Sequence, residues 1–136
     1  VLVASPDYLT RCGAPATPDD LLAQHCLRYR FPGSGKLEPW YFSRHGDERA
    51  LDVSGSLIFN EDRLIKDAAL AGLGIAQRFQ GTVVQELAQG DLVEVLPEYA
   101  SEASGFFIYF PAGRHLPLKL RAFIDFMRER RERQHR

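Results

Sequence analysis

Apolar residues in this chain come in two rhythms: short continuous runs, which predict strands, and longer stretches in which they recur at helical spacing. Val1-Leu2-Val3-Ala4 is a strand that stops at Ser5-Pro6, where Ser5 suits a helix cap and Pro6 the first position of a turn reaching Arg11. Gly13 ends that turn. Thr17 and Asp20 are placed as a capping box for a short helix from Pro18 to Ala23. Cys26 to Phe31 alternates in strand fashion and runs into Pro32-Gly33-Ser34-Gly35, a loop. Trp40–Ser43 and Arg49–Val53 then flank Arg44-His45-Gly46-Asp47-Glu48, whose Gly-Asp suits a turn, so this stretch predicts a hairpin.

The densest pattern lies between Gly55 and Gln77. Leu57-Ile58-Phe59 reads as a buried strand, Asn60 as the cap of the next helix, and Glu61 and Asp62 as acids favoured by its positive end. Leu64, Ile65, Ala68, Ala69 and Gly72 share one helical face, with Arg63, Lys66 and Asp67 pointing away. Gly72 stops the helix, and Leu73-Gly74-Ile75-Ala76 is a second strand parallel to the first, completing a βαβ unit. Beyond it, Thr82 to Ala88 predicts a helix stopping near Gly90, Leu92 to Leu96 a strand closed by Pro97, and Phe106 to Phe110 a strongly apolar strand ending at Pro111. A last helix starts near Leu118, with Leu120, Phe123, Ile124 and Met127 on one face. Strands alternating with helices imply an α/β fold with a mostly parallel sheet and a local antiparallel hairpin.

Composition narrows the class. A chain of 136 residues that is 45% hydrophobic suits one core. Its net charge of −1 offers no footprint for a phosphate backbone, so DNA binding by this segment alone is not expected. No apolar run reaches membrane-spanning length and no leader pattern opens the chain, although it begins on Val1 rather than Met. Cys12 and Cys26 form no C-x-x-C pair and read as reduced thiols, which suits the cytoplasm. His25, His45, His115 and His135 are scattered without metal-ligand spacing, no serine has the flanks of a nucleophile elbow, and Gly72-Leu73-Gly74 precedes a strand where a dinucleotide fingerprint follows one. Neither a metal, nor a cofactor, nor catalysis is expected. The arginines of the last turns, interspersed with Glu129 and Glu132, suit a solvated helix end rather than a nucleic-acid patch.

Ala4-Ser5-Pro6-Asp7-Tyr8-Leu9, Gly13-x-Pro15-x-x-Pro18-x-Asp20-Leu21, His25-Cys26-Leu27, Trp40-x-Phe42, the βαβ segment and Arg121-Ala122-Phe123-Ile124-Asp125-Phe126 together closely resemble the effector-binding domain of LysR-type transcriptional regulators, along essentially the whole chain. The resemblance implies a fold like that of type 2 periplasmic binding proteins, two α/β subdomains joined by crossover strands around a ligand cleft. Mapped here, residues 6–105 are the second subdomain, 1–5 and 106–111 the crossovers, and 112–136 the return to the first subdomain. The opening half of that first subdomain and an amino-terminal winged helix-turn-helix are expected to lie outside this chain. The implied function is effector sensing in a bacterial regulator, with a small-molecule partner, an organic acid among the candidates, DNA bound only through the missing domain, homo-oligomers, and no membrane. The alternative is the solute-binding component of a transporter of the same fold, with a porphyrin-pathway deaminase a distant third.

Ligands of open α/β sheets sit beyond the carboxyl ends of the strands. Two such ends here are Phe59-Asn60-Glu61 and Gln77-Arg78-Phe79, which become the candidate effector wall; the competing reading makes Asn60 only a cap and Phe59 only core. Arg78, where the family usually continues with apolar residues and a Pro, suits a ligand carboxylate, or else is merely solvated. Ala4, Ser5, Tyr109, Phe110 and Pro111 fall at the crossovers and are the candidate hinges.

Overall fold

The structure, a computed structural model, describes residues 1–101 and 117–134. Val1–Ser104 and Gly105–Arg136 form separate compact units. In the first, β1 (Leu2–Ala4) leads into α1 (Pro6–Cys12), whose cap is Ser5: its hydroxyl accepts the Tyr8 amide at 3.2 Å, and Pro6 stands at the first helical position. Pro18–Ala23 winds as a 3-10 helix, its start held by the Asp20 carboxylate, which accepts the Thr17 and Ala16 amides at 2.8 and 3.0 Å. Then follow β2 (Arg28–Tyr29), β3 (Trp40–Arg44), β4 (Asp47–Leu51), β5 (Ile58–Phe59), α2 (Asp62–Leu70), β6 (Ala76–Gln77), α3 (Val84–Gln89) and β7 (Val93–Val95). Residues 102–116, which hold the expected strand Phe106–Phe110 and the hinge candidates Tyr109, Phe110 and Pro111, lie outside the described residues.

The central sheet has the spatial order β5, β2, β6, β1, β7. β5 pairs with β2 in parallel, and a parallel bridge between Cys26 and Ile75 joins the β2 segment to the β6 segment. β1 lies antiparallel to both β6 and β7. Four strands therefore point one way and β1 runs against them. β5 and β6 are parallel, as the βαβ pattern requires, but the β2 segment is inserted between them.

Both faces of this sheet are covered, which is what a largely parallel sheet needs. On one side Leu2, Ala4, Cys26, Ile75 and Val95 pack with Tyr8, Leu21, Trp40, Phe42 and Val53; on the other, Val3, Leu27 and Ala76 pack with Ile65, Ala68, Ala69, Val83 and Leu92. The expectation that Cys26–Phe31 alternates is therefore wrong where it matters: Cys26, Leu27 and Arg28 are buried in succession because β2 is central. The reading of Leu57-Ile58-Phe59 as a buried strand is corrected the other way. β5 is an edge strand, with Leu57 and Ile58 39% and 41% exposed.

The helix between these strands keeps its pattern with two corrections. Ile65, Ala68 and Ala69 are buried, but Leu64 faces solvent, since the apolar stripe is narrower than the spacing suggested. The cap is Glu61, not Asn60, and its side chain makes no capping hydrogen bond. The stop is a Schellman motif: the Leu73 amide bonds the Ala68 carbonyl, the Gly72 amide bonds that of Ala69, and Gly72 has φ +73°. The hairpin is tighter than expected, with Arg44 opposite Asp47 and a two-residue turn of His45 and Gly46, both at positive φ. Thus His45-Gly46, rather than Gly46-Asp47, makes the turn. α3 starts at Val84, later than the predicted Thr82, because residues 80–82 wind as a 3-10 turn.

The second unit contributes α4 (Leu118–Gln134). Of its expected apolar face Ile124 is buried, Leu120 partly so, and Phe123 and Met127 are exposed. Among the described residues no helix is long and apolar enough to cross a membrane.

Candidate functional site

The registers align the carboxyl ends of the parallel strands along one edge. Tyr29 lies level with Phe59, and the chain leaves β6 at Gln77-Arg78 at that same end. Because β1 is antiparallel, its start is there too: the Arg78 amide bonds the Val1 carbonyl at 2.8 Å, and the Val1 nitrogen donates to the Arg78 carbonyl at 2.9 Å. The loop after β2 folds back onto this edge, with the Glu38 amide bonded to the Tyr29 carbonyl at 2.8 Å. All six candidate wall residues thus stand on one edge of the sheet.

Their side chains do different things. Phe59 is partly buried and packs on the core beneath α2; Asn60 and Glu61 are exposed. Gln77 uses both ends of its amide on one backbone unit, accepting the Tyr41 amide at 3.2 Å and donating to the Tyr41 carbonyl at 2.7 Å, which fixes β3 against β6. Phe79 is 47% exposed, and its carbonyl accepts the Thr82 hydroxyl at 2.7 Å.

Arg78 is not solvated. It is buried, donating from Nε to the Gln77 carbonyl and from Nη1 to Asp62, with Glu38 Oε2 at 3.7 Å from Nη2. A buried guanidinium needs such partners, since an unpaired charge cannot be removed from water cheaply. Burial, reinforced by the Asp62 charge and opposed by Arg78, pushes the Glu38 carboxyl above the usual glutamate value. Asp62 and Glu38 were invisible as site residues in the sequence. Asp62 reads as an ordinary first-turn acid, and nothing around Glu38 marks a loop that folds back.

Hollows open among the described residues of this unit. One of about 270 Å³ is lined by Asp62, Arg63, Lys66 and Thr82, beside the charged cluster. The larger, about 410 Å³, is lined by the hairpin tip, Thr17 to Asp19 and Tyr99, and includes none of the candidate wall residues. Among the described residues no group of His, Cys, Asp and Glu is arranged to hold a metal. Cys12 and Cys26 are both free thiols, Cys12 exposed and Cys26 buried. Ser5 and Ala4, the described hinge candidates, lie at the end of β1 opposite Arg78, where Ser5 serves as the α1 cap.

The family model of the LysR substrate binding domain matches residues 1–132. The chain belongs to that family. An uncharacterised HTH-type transcriptional regulator of Escherichia coli K12, YcaN, is 34% identical over 127 residues, covering 93% of this chain and 41% of its own length. The HTH-type transcriptional regulator PgrR of the same strain is 31% identical over 124 residues, covering 91% and 42%. Among solved structures, the regulatory domain of CrgA, a LysR-type transcriptional regulator from Neisseria meningitidis, superposes with a TM-score of 0.72 at 25% identity, covering 95% of this chain and 62% of that one. The regulatory domain of AphB from Vibrio vulnificus gives 0.65 at 25% identity, covering 93% and 61%. The fold is the mixed α/β architecture of LysR-type regulatory domains, of the type 2 periplasmic-binding-protein kind. The chain spans about two fifths of the length of the curated relatives it matches.

Proposed function

We propose that this LysR-type substrate-binding segment senses a small-molecule effector and, within a longer parent protein, modulates DNA binding by a helix-turn-helix domain outside this chain. The observation that supports it most is the convergence, on one edge of the sheet, of three parallel strand ends, the first turn of α2, a buried arginine with two acids, and the start of β1. Such an edge is where open α/β sheets take ligands, and here it also receives the strand that would connect to the first subdomain. In this reading the hinge lies toward the Val1 end of β1, with Ala4 and Ser5 at the other end of the same strand. In this reading Phe59, Asn60, Glu61, Gln77, Arg78 and Phe79 form one wall of the cleft and the rest comes from the first subdomain, with a small organic acid as the effector class. The transporter alternative is not favoured, because the relatives are named transcriptional regulators. For the same reason we read the chain as a non-enzyme of the cytoplasm.

The test is a thermal-shift screen of small carboxylates against the full-length parent, followed by titration of each stabilising compound into a complex of the parent with its own promoter fragment. A compound that raises Tm and shifts the DNA affinity supports the reading, provided that Asn60→Ala or Phe79→Ala weakens its binding. Stabilising compounds whose binding ignores every substitution on this edge would overturn it.

A further inference from the structure

We propose that Glu38 is an internal stand-in for a ligand carboxylate on Arg78, and that an acidic effector binds by displacing it. The inference rests on the strand-end reading above and adds to it a residue that sets both affinity and its pH dependence.

The guanidinium of Arg78 is only partly committed. Nε and Nη1 donate to the Gln77 carbonyl and to Asp62, whereas Nη2 makes no hydrogen bond among the described residues and faces Glu38 Oε2 across 3.7 Å. That separation is an ion pair without a directed hydrogen bond. The two acids are held differently. Asp62 belongs to the first turn of α2, and its side chain is 58% exposed. Glu38 is carried on the loop that folds back over β2, tethered through its own amide to Tyr29, with its carboxyl drawn in beside the guanidinium.

A loosely held, half-buried acid beside an unfilled donor edge is the group that a better-placed acceptor replaces. An incoming carboxylate in the guanidinium plane would make the charge-assisted bond at ordinary length that Glu38 does not make. Glu38 would then take up a proton or turn outward, so that Arg78 again faces two acids. Arg78 at the end of β6 and Asp62 at the start of α2 are the charged groups acting on Glu38, the first stabilising its ionised form and the second opposing it. Burial is the larger effect, and the carboxyl is raised. As pH falls through that raised value, Glu38 stops competing and a carboxylate should bind more tightly, until the ligand's own carboxyl protonates.

The experiment uses the full-length parent with sodium benzoate as the probe and benzamide as its neutral counterpart. Calorimetric titrations across about pH 5 to 8 should show benzoate binding that tightens toward acid and no benzamide binding. Glu38→Gln should bind benzoate at least about fivefold more tightly at neutral pH and lose the wild-type pH dependence. Arg78→Lys, which keeps the charge and the buried stem but not the fork, should weaken benzoate in both backgrounds. Benzoate binding that needs Arg78 but is indifferent to Glu38→Gln would overturn the stand-in role and leave the strand-end reading intact. Binding that survives Arg78→Lys unchanged, or no binding to either the native or the Glu38→Gln protein, would overturn the proposal and the carboxylate reading of the site with it.

Discussion

Single residues carry constraints here that differ sharply from their hydropathy. At Gly55 an added Cβ would lie 1.8 Å from the Cys26 carbonyl oxygen, so Gly55→Ala must push apart the backbones that bring β2 into the sheet. The expected loss is roughly 3 kcal/mol, read as a lower urea midpoint at unchanged slope; an unaltered midpoint would show that this approach is not needed. Burial raises the Cys26 thiol to about 12, so it stays protonated and inert at neutral pH, whereas Cys12 is exposed. A thiol reagent should therefore modify Cys12 in the native protein and Cys26 only on unfolding. Arg78 departs most from the sequence-based view of a solvated or ligand-only cation. Its burial makes Arg78→Ala structural as well as functional, but Asp62 stays largely hydrated, so the stability cost should be about 2 kcal/mol rather than that of a fully buried pair. A variant whose Tm equals the wild type would contradict the ion-pair cluster.

At the scale of elements, α2 is the piece that the pattern of the chain describes best, because its short buried stripe and its Gly72 stop are local physics. Ile65 is fully buried between α2 and the sheet, and Ile65→Ala should cost about 3 kcal/mol by leaving a cavity there. Lys66 joins α2 to α3 by donating to Glu86 at 2.7 Å. That hydrogen bond lowers the Glu86 carboxyl below its ordinary value, with the Lys66 charge acting in the same direction and desolvation against it. The group binds fewer protons folded than unfolded, so its stabilisation is present above the ordinary glutamate value and is lost as pH falls through the lowered one. Glu86→Gln should flatten that part of the acid limb in a pH series of Tm values; an identical acid limb would show that the pair contributes nothing. In the sequence the edge strand β5 reads as buried, because three consecutive apolar residues look alike whether a strand is central or outermost. Only its neighbours distinguish the two.

For the whole molecule, charge and exposed apolar surface set the expectations. With a net charge of −1, the chain should show no specific affinity for the parent operator in an anisotropy titration at physiological salt, and nanomolar binding would refute that. Phe123, Phe126 and Met127 are exposed on α4, and Leu57 and Ile58 on the β5 edge. Exposed apolar residues and an open strand edge favour association, so light scattering at micromolar concentration should find dimers or larger species rather than a strict monomer.

The order of residues along the chain was enough for the α/β class, the caps at Ser5 and Gly13, the βαβ unit, the last helix and the family. Each depends on contacts within a few positions, or on motifs that survive as motifs. The pairing partners were not legible: that β2 slots between β5 and β6, that β1 runs against its neighbours, and that Gln77 holds β3 by a backbone unit 36 positions away are choices among registers with equally apolar strands. The site followed the same division. Strand-end placement put the candidates Phe59 to Glu61 and Gln77 to Phe79 on one edge, because a strand end is a local feature. The cluster of Arg78 with Asp62 and Glu38 exists only after the sheet forms and the loop folds back on β2, since the charge of a buried arginine is balanced by whatever acids the fold brings to it.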